Sequence, residues 1–372
     1  MFWAIKPRFR PVRDLPMKTD RRFEAYQQFV LDTKLYWSSR LYPALKSDYH
    51  EQVSRLKTAG GPPPADADAV EALLKPQTLY AYYAWFERHL QRMKYSGPRG
   101  LAPHHDRSRD VIEARLAQAD ATGLLELNPT ITYPAYYTSF DVHQHPGGLW
   151  SDPIAGVVYE RGARSTTPLL KRHADLHERL TDAVLKIARP ERLIDLGCGF
   201  GKSTTPFYRA APDVDITAID LSEPCLRLAA INAHEQGVQR VRFAQRDCVA
   251  TGYEDASFDV VTSTMLLHEL PAEHLRDMLR ESFRLLRPGG VAVHLDFLVP
   301  ANDAFACFIH YTHGQRNNEP YMRPLNEIGL SDLLRETGFQ QVQNSAFEEA
   351  PGTLSPDYKA WRFPWTLVIA RR

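Results

Sequence analysis

Leu193-Ile-Asp-Leu-Gly-Cys-Gly-Phe-Gly201 decides the fold. A short apolar run carrying one acid breaks into three glycines at alternate positions. The run predicts a buried parallel strand. The glycines let the backbone turn sharply and pass against a ligand with no Cβ in the way, which is how an α/β fold holds a nucleoside-like cofactor at the carboxyl end of its first strand. Spacing excludes two better-known glycine loops. A phosphate-cradling P-loop needs glycine where Leu196 stands, and a dinucleotide loop needs a spacing that Lys202 breaks.

Working outward, Asp213 to Asp220 predicts a second strand ending in an acid, about 20 residues past the glycines, where this architecture puts a carboxylate on ribose hydroxyls. A helix over Leu226 to Gln236, closed by Gly237, follows. Val241 to Asp247 and Phe258 to Thr264 predict the third and fourth strands. Leu275 to Leu286 predicts an amphipathic helix, and Arg287-Pro-Gly-Gly290 turns it into a strand over Val291 to Phe297. Ser331 to Thr337 predicts a short helix, and Phe339 to Phe347 and Trp365 to Ala370 two last strands.

The glycine stretch, D-x-G-x-G-x-G, resembles the first motif of the class I S-adenosyl-L-methionine (SAM)-dependent methyltransferases. The elements after it follow that family's order, from about Leu169 to the C-terminus. The resemblance implies an α/β fold with a Rossmann-like seven-stranded sheet, the last strand antiparallel, behind an N-terminal mainly helical accessory domain. It implies SAM as cofactor and S-adenosylhomocysteine as product, held by Asp195, Gly197, Cys198, Gly199, Gly201, Asp220, Leu221, Asp247 and Cys248, with Asp247 on the adenine amino group. Met265-Leu-Leu-His-Glu-Leu-Pro271 resembles the segment of small-molecule O-methyltransferases in which a histidine-acid pair supplies the catalytic base. His268 falls on that histidine and Glu269 on its acidic neighbour; Leu270 stands where the family usually has Trp. Other methyltransferases carry histidine here without using it as a base, so a structural role for His268 stays open.

Composition bounds the rest. The chain has 372 residues, 44% hydrophobic and 24% charged, ordinary for a globular protein. Lys+Arg and Asp+Glu are both 45, so no global field draws it to nucleic acid or an anionic membrane. Methyltransferases of DNA amino groups carry an Asn/Asp-Pro-Pro-aromatic tetrad where this chain has Ser263-Thr-Met-Leu266. Cytosine C5 enzymes place Pro-Cys there, whereas Pro224-Cys225 follows the second strand. No stretch reads as membrane-spanning or secretory, and Cys198, Cys225, Cys248 and Cys307 lack C-x-x-C spacing, which predicts free thiols in a reducing cytoplasm.

The chain divides into a helical accessory domain over 1–122, an aromatic-rich linker or lid over 123–167, and the SAM-binding domain over 168–372. Residues 1 to about 22 are basic and proline-punctuated, read as a tail packed by Phe2, Trp3, Ile5 and Phe9. Helices are expected over Arg22–Leu56, with a break near Pro43, over Ala69–Lys94 and over Val111–Ala119, with Ser96–Pro103 a loop. Leu79, Tyr82, Tyr83, Phe86, Leu90 and Met93 form a stripe read as core. The accessory domain is expected to serve substrate capture, homodimerisation or both. The 123–167 segment lacks periodicity but is full of aromatics, and Tyr137, His143 and His145 in it are substrate-pocket candidates, with His310, His313 and Tyr321 after the fifth strand. The H-x-H and H-x-x-H spacings fit no specific zinc pattern, so no metal is expected. The expected activity is methylation of a small organic, natural-product-like acceptor, at oxygen before carbon. The alternatives are a SAM-binding enzyme that does not methylate, such as a cyclase, and a non-catalytic SAM-binding scaffold.

Overall fold

The computed structural model describes residues 21–164 and 175–372. The basic N-terminal tail and the start of the helix expected from Leu169 lie outside these residues.

Eight strands form one sheet among the described residues: β1 (Leu125–Glu126), β2 (Arg192–Leu196), β3 (Asp215–Asp220), β4 (Val241–Gln245), β5 (Phe258–Thr264), β6 (Leu286–Phe297), β7 (Gln340–Ala346) and β8 (Trp365–Arg371), in spatial order β1-β4-β3-β2-β5-β6-β8-β7. β1 to β6 pair in parallel, and β8 runs antiparallel to both β6 and β7. Without β1 this is the seven-stranded sheet expected, with the last strand antiparallel. The count is eight because Leu124 and its neighbours add a two-residue strand to the β4 edge, where the Leu124 carbonyl accepts the Phe243 N–H at 2.8 Å.

Residues of β2 past Arg192 and the whole of β5 are buried, as strands covered on both faces must be. β7, read Gln-Gln-Val-Gln-Asn-Ser-Ala, is a mostly exposed edge strand whose polar side chains suit that place. The Arg287–Gly290 turn expected between helix and strand falls inside β6, as a register shift opposite Phe258 and Val260. The helix before it, Ala272–Leu285, buries Leu275, Met278, Leu279, Ser282 and Leu285, one stripe at helical spacing.

The chain order reverses beside β2, with β3 on one side and β5 on the other. That reversal opens a crevice at the strands' carboxyl ends.

The N-terminal helices include Arg21–Tyr36, Tyr42–Thr58, Ala67–Leu74 and Thr78–Tyr95. The expected break near Pro43 is a wider π-type turn at Trp37–Leu41. The stripe on Thr78–Tyr95 differs from expectation: its buried face is Tyr80, Tyr83, Glu87, Leu90 and Lys94, while Tyr82 is 51% exposed. Trp37 stacks on Tyr83 at 4.9 Å and meets Trp361 edge-on at 5.1 Å, which joins these helices to the segment before β8. Part of the expected 96–103 loop is a helix, Leu101–Asp106. Among the described residues no helix is long and apolar enough to cross a membrane.

The aromatic segment holds a helix, Ala155–Ala163, that lack of periodicity concealed. Two of its buried positions are glycine. A Cβ on Gly156 would stand against the Pro224 carbonyl and 2.8 Å from the Cys225 nitrogen, at the start of helix Glu223–Glu235. Gly156→Ala is therefore expected to lower stability by about 1–3 kcal/mol, read as a fall in denaturant midpoint at unchanged slope.

Candidate active site

Gly197 and Gly199, just past β2, hold φ of 66° and 52°, the left-handed region that side chains avoid. A Cβ on Gly197 would press on Leu266, whereas one on Gly199 would point into open space. That space belongs to a cavity of about 230 Å³ at the carboxyl edge of the sheet. Gly201 instead packs on Ala229 and Phe243.

Asp220 ends β3 and lines the cavity. Its carboxylate accepts the N–H groups of Gly199 and Ser222, each at 2.8 Å. Burial pushes its pKa up, and these N–H donors partly offset that. A carboxylate has about four acceptor positions, so capacity remains for a vicinal diol. Leu221, Cys198 and Cys248 line the same region, with Tyr136 and Tyr137. Asp195 does not line it. Fully buried, it accepts the Ser203 and Thr204 hydroxyls at 2.7 Å each and braces the glycine turn from behind; burial raises its pKa to about 6. Asp247 also lies outside the lining and accepts the Val249 N–H at 3.1 Å.

Asp220→Ala is expected to weaken S-adenosylhomocysteine binding by about 1–3 kcal/mol through unpaired ribose hydroxyls. Unchanged affinity by calorimetry would remove Asp220 from the cofactor site.

His268 sits in a short 3₁₀ turn (Leu267–Glu269) after β5 and is 2% exposed. Its Nδ1 meets the Asp296 carboxylate at 2.6 Å. Asp296, near the end of β6 and fully buried, also accepts the Leu267 N–H at 2.8 Å and the Phe297 N–H at 2.8 Å. Three donors converge on this carboxylate, so Nδ1 carries its proton and Nε2 is the nitrogen left to exchange one. Nε2 faces Glu269 at 3.4 Å and Glu319 at 3.9 Å. The sequence pairs His268 with Glu269; the orienting carboxylate is Asp296, and Glu269 stands on the opposite side of the ring.

His143 completes the group. Its Nδ1 meets Glu319 at 3.0 Å, its Nε2 lies 3.3 Å from Glu269, and its ring stacks on Tyr159 at 5.8 Å. Its backbone is left-handed, φ 55°, a costly conformation for a non-glycine residue. Burial alone lowers the proton affinity of both imidazoles. Asp296 and Glu269 outweigh it at His268, which is held well above the usual histidine value, and Glu319 outweighs it at His143. Glu319 is held below the usual range: burial raises it, but His143, with His313 and His268, more than compensates.

Of the other sequence candidates, His313 lines the cavity and bonds Glu87. His145 and His310 are buried outside the lining, and desolvation lowers them to about 4 and about 3. Tyr321 packs on Tyr136 and Phe140 from behind. Among the described residues no three His, Cys, Asp or Glu side chains are placed to hold a metal ion. The sequence reading missed Asp296, Glu319, Lys34 and Lys94. An acid closing a buried strand is the signal that found Asp220, and it applies equally to Asp296.

A family model described as a methyltransferase domain matches residues 193–290. The chain is 30% identical over 189 residues to the ubiquinone/menaquinone biosynthesis C-methyltransferase UbiE of Dinoroseobacter shibae, covering 45% of this chain and 75% of that protein. The chain belongs to the class I SAM-dependent methyltransferases. It is also 37% identical over 160 residues to 27-O-demethylrifamycin SV methyltransferase of Amycolatopsis mediterranei, covering 42% of this chain and 52% of that protein. Over 139 residues it is 34% identical to demethylmenaquinone methyltransferase of Thermus thermophilus, covering 37% of this chain and 61% of that protein. The chain thus spans 52% to 61% of these last two relatives. The family's cofactor is SAM, and the open space at Gly199 beside the Asp220 carboxylate fits it.

Proposed function

We propose that this methyltransferase transfers a methyl group from SAM to a small organic acceptor that gives up a proton, with an oxygen nucleophile favoured over carbon. The observation that carries this reading is His268, oriented by Asp296, in one cavity with the glycine turn and Asp220. SAM, when bound, supplies an electrophilic methyl group on a positively charged sulfur. The chain's residues do the rest. Asp220 and the glycine turn would hold the nucleoside. Asp296 fixes the imidazole so that Nε2 can take the acceptor's proton. Asp296, Glu269 and Glu319 stand beside the two imidazoles and stabilise a ring that has taken the acceptor's proton. Lys34, Gln91, Lys94 and Tyr95 from the N-terminal helices line the cavity, which supports the substrate-capture role for that region. Relatives named for O- and for C-methylation leave the acceptor atom to the site itself. An oxygen acid is the first choice because an O–H proton, unlike most C–H protons, is acidic enough for an imidazole to take as the methyl group arrives.

The test is a panel of phenols, alcohols and enolisable ketones with methyl-labelled SAM, the labelled atom located by NMR. Label on oxygen supports the reading. Label only on carbon keeps methyl transfer and overturns the oxygen preference. S-adenosylhomocysteine formation no faster than without acceptor, across the panel, counts against it.

A further inference from the structure

Beyond His268 and Lys202 of the glycine turn, the cavity holds two lysines from the N-terminal helices, Lys34 and Lys94. Lys94 is 4% exposed, and its Nζ stands 4.7 Å from the centroid of the Tyr95 ring. Lys34, half-buried, lines the same cavity. Among the described residues neither ammonium has a hydrogen bond, or a carboxylate within 4.0 Å. Glu319 attracts both ammonium groups and Glu87 attracts Lys34, which only partly offsets burial, and the carboxylates of the cavity have other partners. Glu87 is held by Arg316 and His313. Glu319 meets His143, Glu269 lies between His143 and His268, and Asp220 takes two backbone N–H groups.

A buried ammonium without a counter-ion is costly, and a second one in the same cavity adds repulsion. Burial, with Lys34 adding to it, lowers the proton affinity of Lys94, and burial brings Lys34 down to about 8. Both costs fall when an anion enters. The same cavity is walled by Phe297, Phe363 and Trp365, with Phe297 stacked on Phe363 at 4.4 Å and 4.8 Å from the His268 ring. A flat apolar body against these rings would share the cavity with the imidazole and the ammonium groups.

We propose that Lys34 and Lys94 bind an anionic group, a carboxylate or phosphate, on an aromatic or conjugated acceptor. This rests on the methyl-transfer reading for the word acceptor only; the anion site is tested by binding.

The experiment titrates matched probes into full-length protein saturated with S-adenosylhomocysteine: benzoate and phenyl phosphate against benzamide, followed by calorimetry. The anions are expected to bind at least about 10-fold more tightly than the amide, and Lys94→Met or Lys34→Met to weaken them by about 10–100-fold. S-adenosylhomocysteine affinity should be unchanged in both variants. The ligand-free melting temperature of Lys94→Met should hold or rise, because a desolvated charge is removed. Equal affinity for anion and amide overturns the proposal, as does no binding of either anion by protein that still binds S-adenosylhomocysteine. Loss of S-adenosylhomocysteine affinity in the variants also overturns it, since the lysines would then serve the cofactor's own carboxylate. If Lys94→Met does not fold, Lys34→Met decides, being less buried. Anion binding without methyl transfer keeps this site and removes the proposed function; transfer to neutral acceptors alone does the reverse.

Discussion

His268→Ala is expected to cut turnover by about 10²–10⁴-fold with cofactor affinity nearly unchanged. In the proposed function the imidazole contributes Nε2, while the cofactor would be held by the glycine turn after β2 and by Asp220 at the end of β3. The loss should shrink for acceptors already ionised at assay pH, because they need no base. Steady-state kinetics on one phenol across pH, with calorimetry on the same protein, checks both parts. Full turnover in the variant would make the histidine structural.

Asp296→Asn should cost about as much, roughly 10²–10⁴-fold, by a different route. The carboxylate accepts from His268, Leu267 and Phe297. An asparagine has one accepting oxygen, so its amide NH₂ must face a donor. If it faces Nδ1, the proton moves to Nε2 and the base is lost. The pH dependence follows from charge. Asp296 helps hold the His268 pKa well above its usual value, so the neutral base accumulates only as pH rises through that raised value. Removing the charge moves the acid limb of the rate profile to lower pH while the plateau falls. Stability follows the same linkage. In the native protein the stabilisation from protonated His268 is complete below the unfolded value of about 6.5 and is lost as pH rises through the folded one. The variant should lose that extra stability at low pH. A merely structural Asp296 would lower stability without moving the limb.

Strands β2 to β6 were legible because largely buried parallel strands read as short, mainly apolar runs, and Asp220 because an acid closes its run. Elements whose burial does not show as hydrophobicity were hidden. Helix Ala155–Ala163 turns Gly156 and Gly162 to its neighbours, and glycine carries no periodic signal. The stripe on Thr78–Tyr95 was read with Tyr82 inside, but the buried face includes Glu87 and Lys94, so charge at core positions disguised the register. In the site, His268 was legible from its place after β5. Its partner was not, because Glu269 is adjacent in sequence whereas Asp296 comes from the neighbouring strand β6. Glu319 follows a left-handed residue, Asn318, that ends helix Ala304–Asn317, a turn without a periodic signature.

The most direct test of the account is a single turnover with SAM labelled in its methyl group, following label and S-adenosylhomocysteine together. The account predicts one labelled methyl in the product for each S-adenosylhomocysteine formed, with both slowed together in His268→Ala. Product formed while the label stays on intact SAM would contradict it, and would mark a protein that uses the cofactor without spending it.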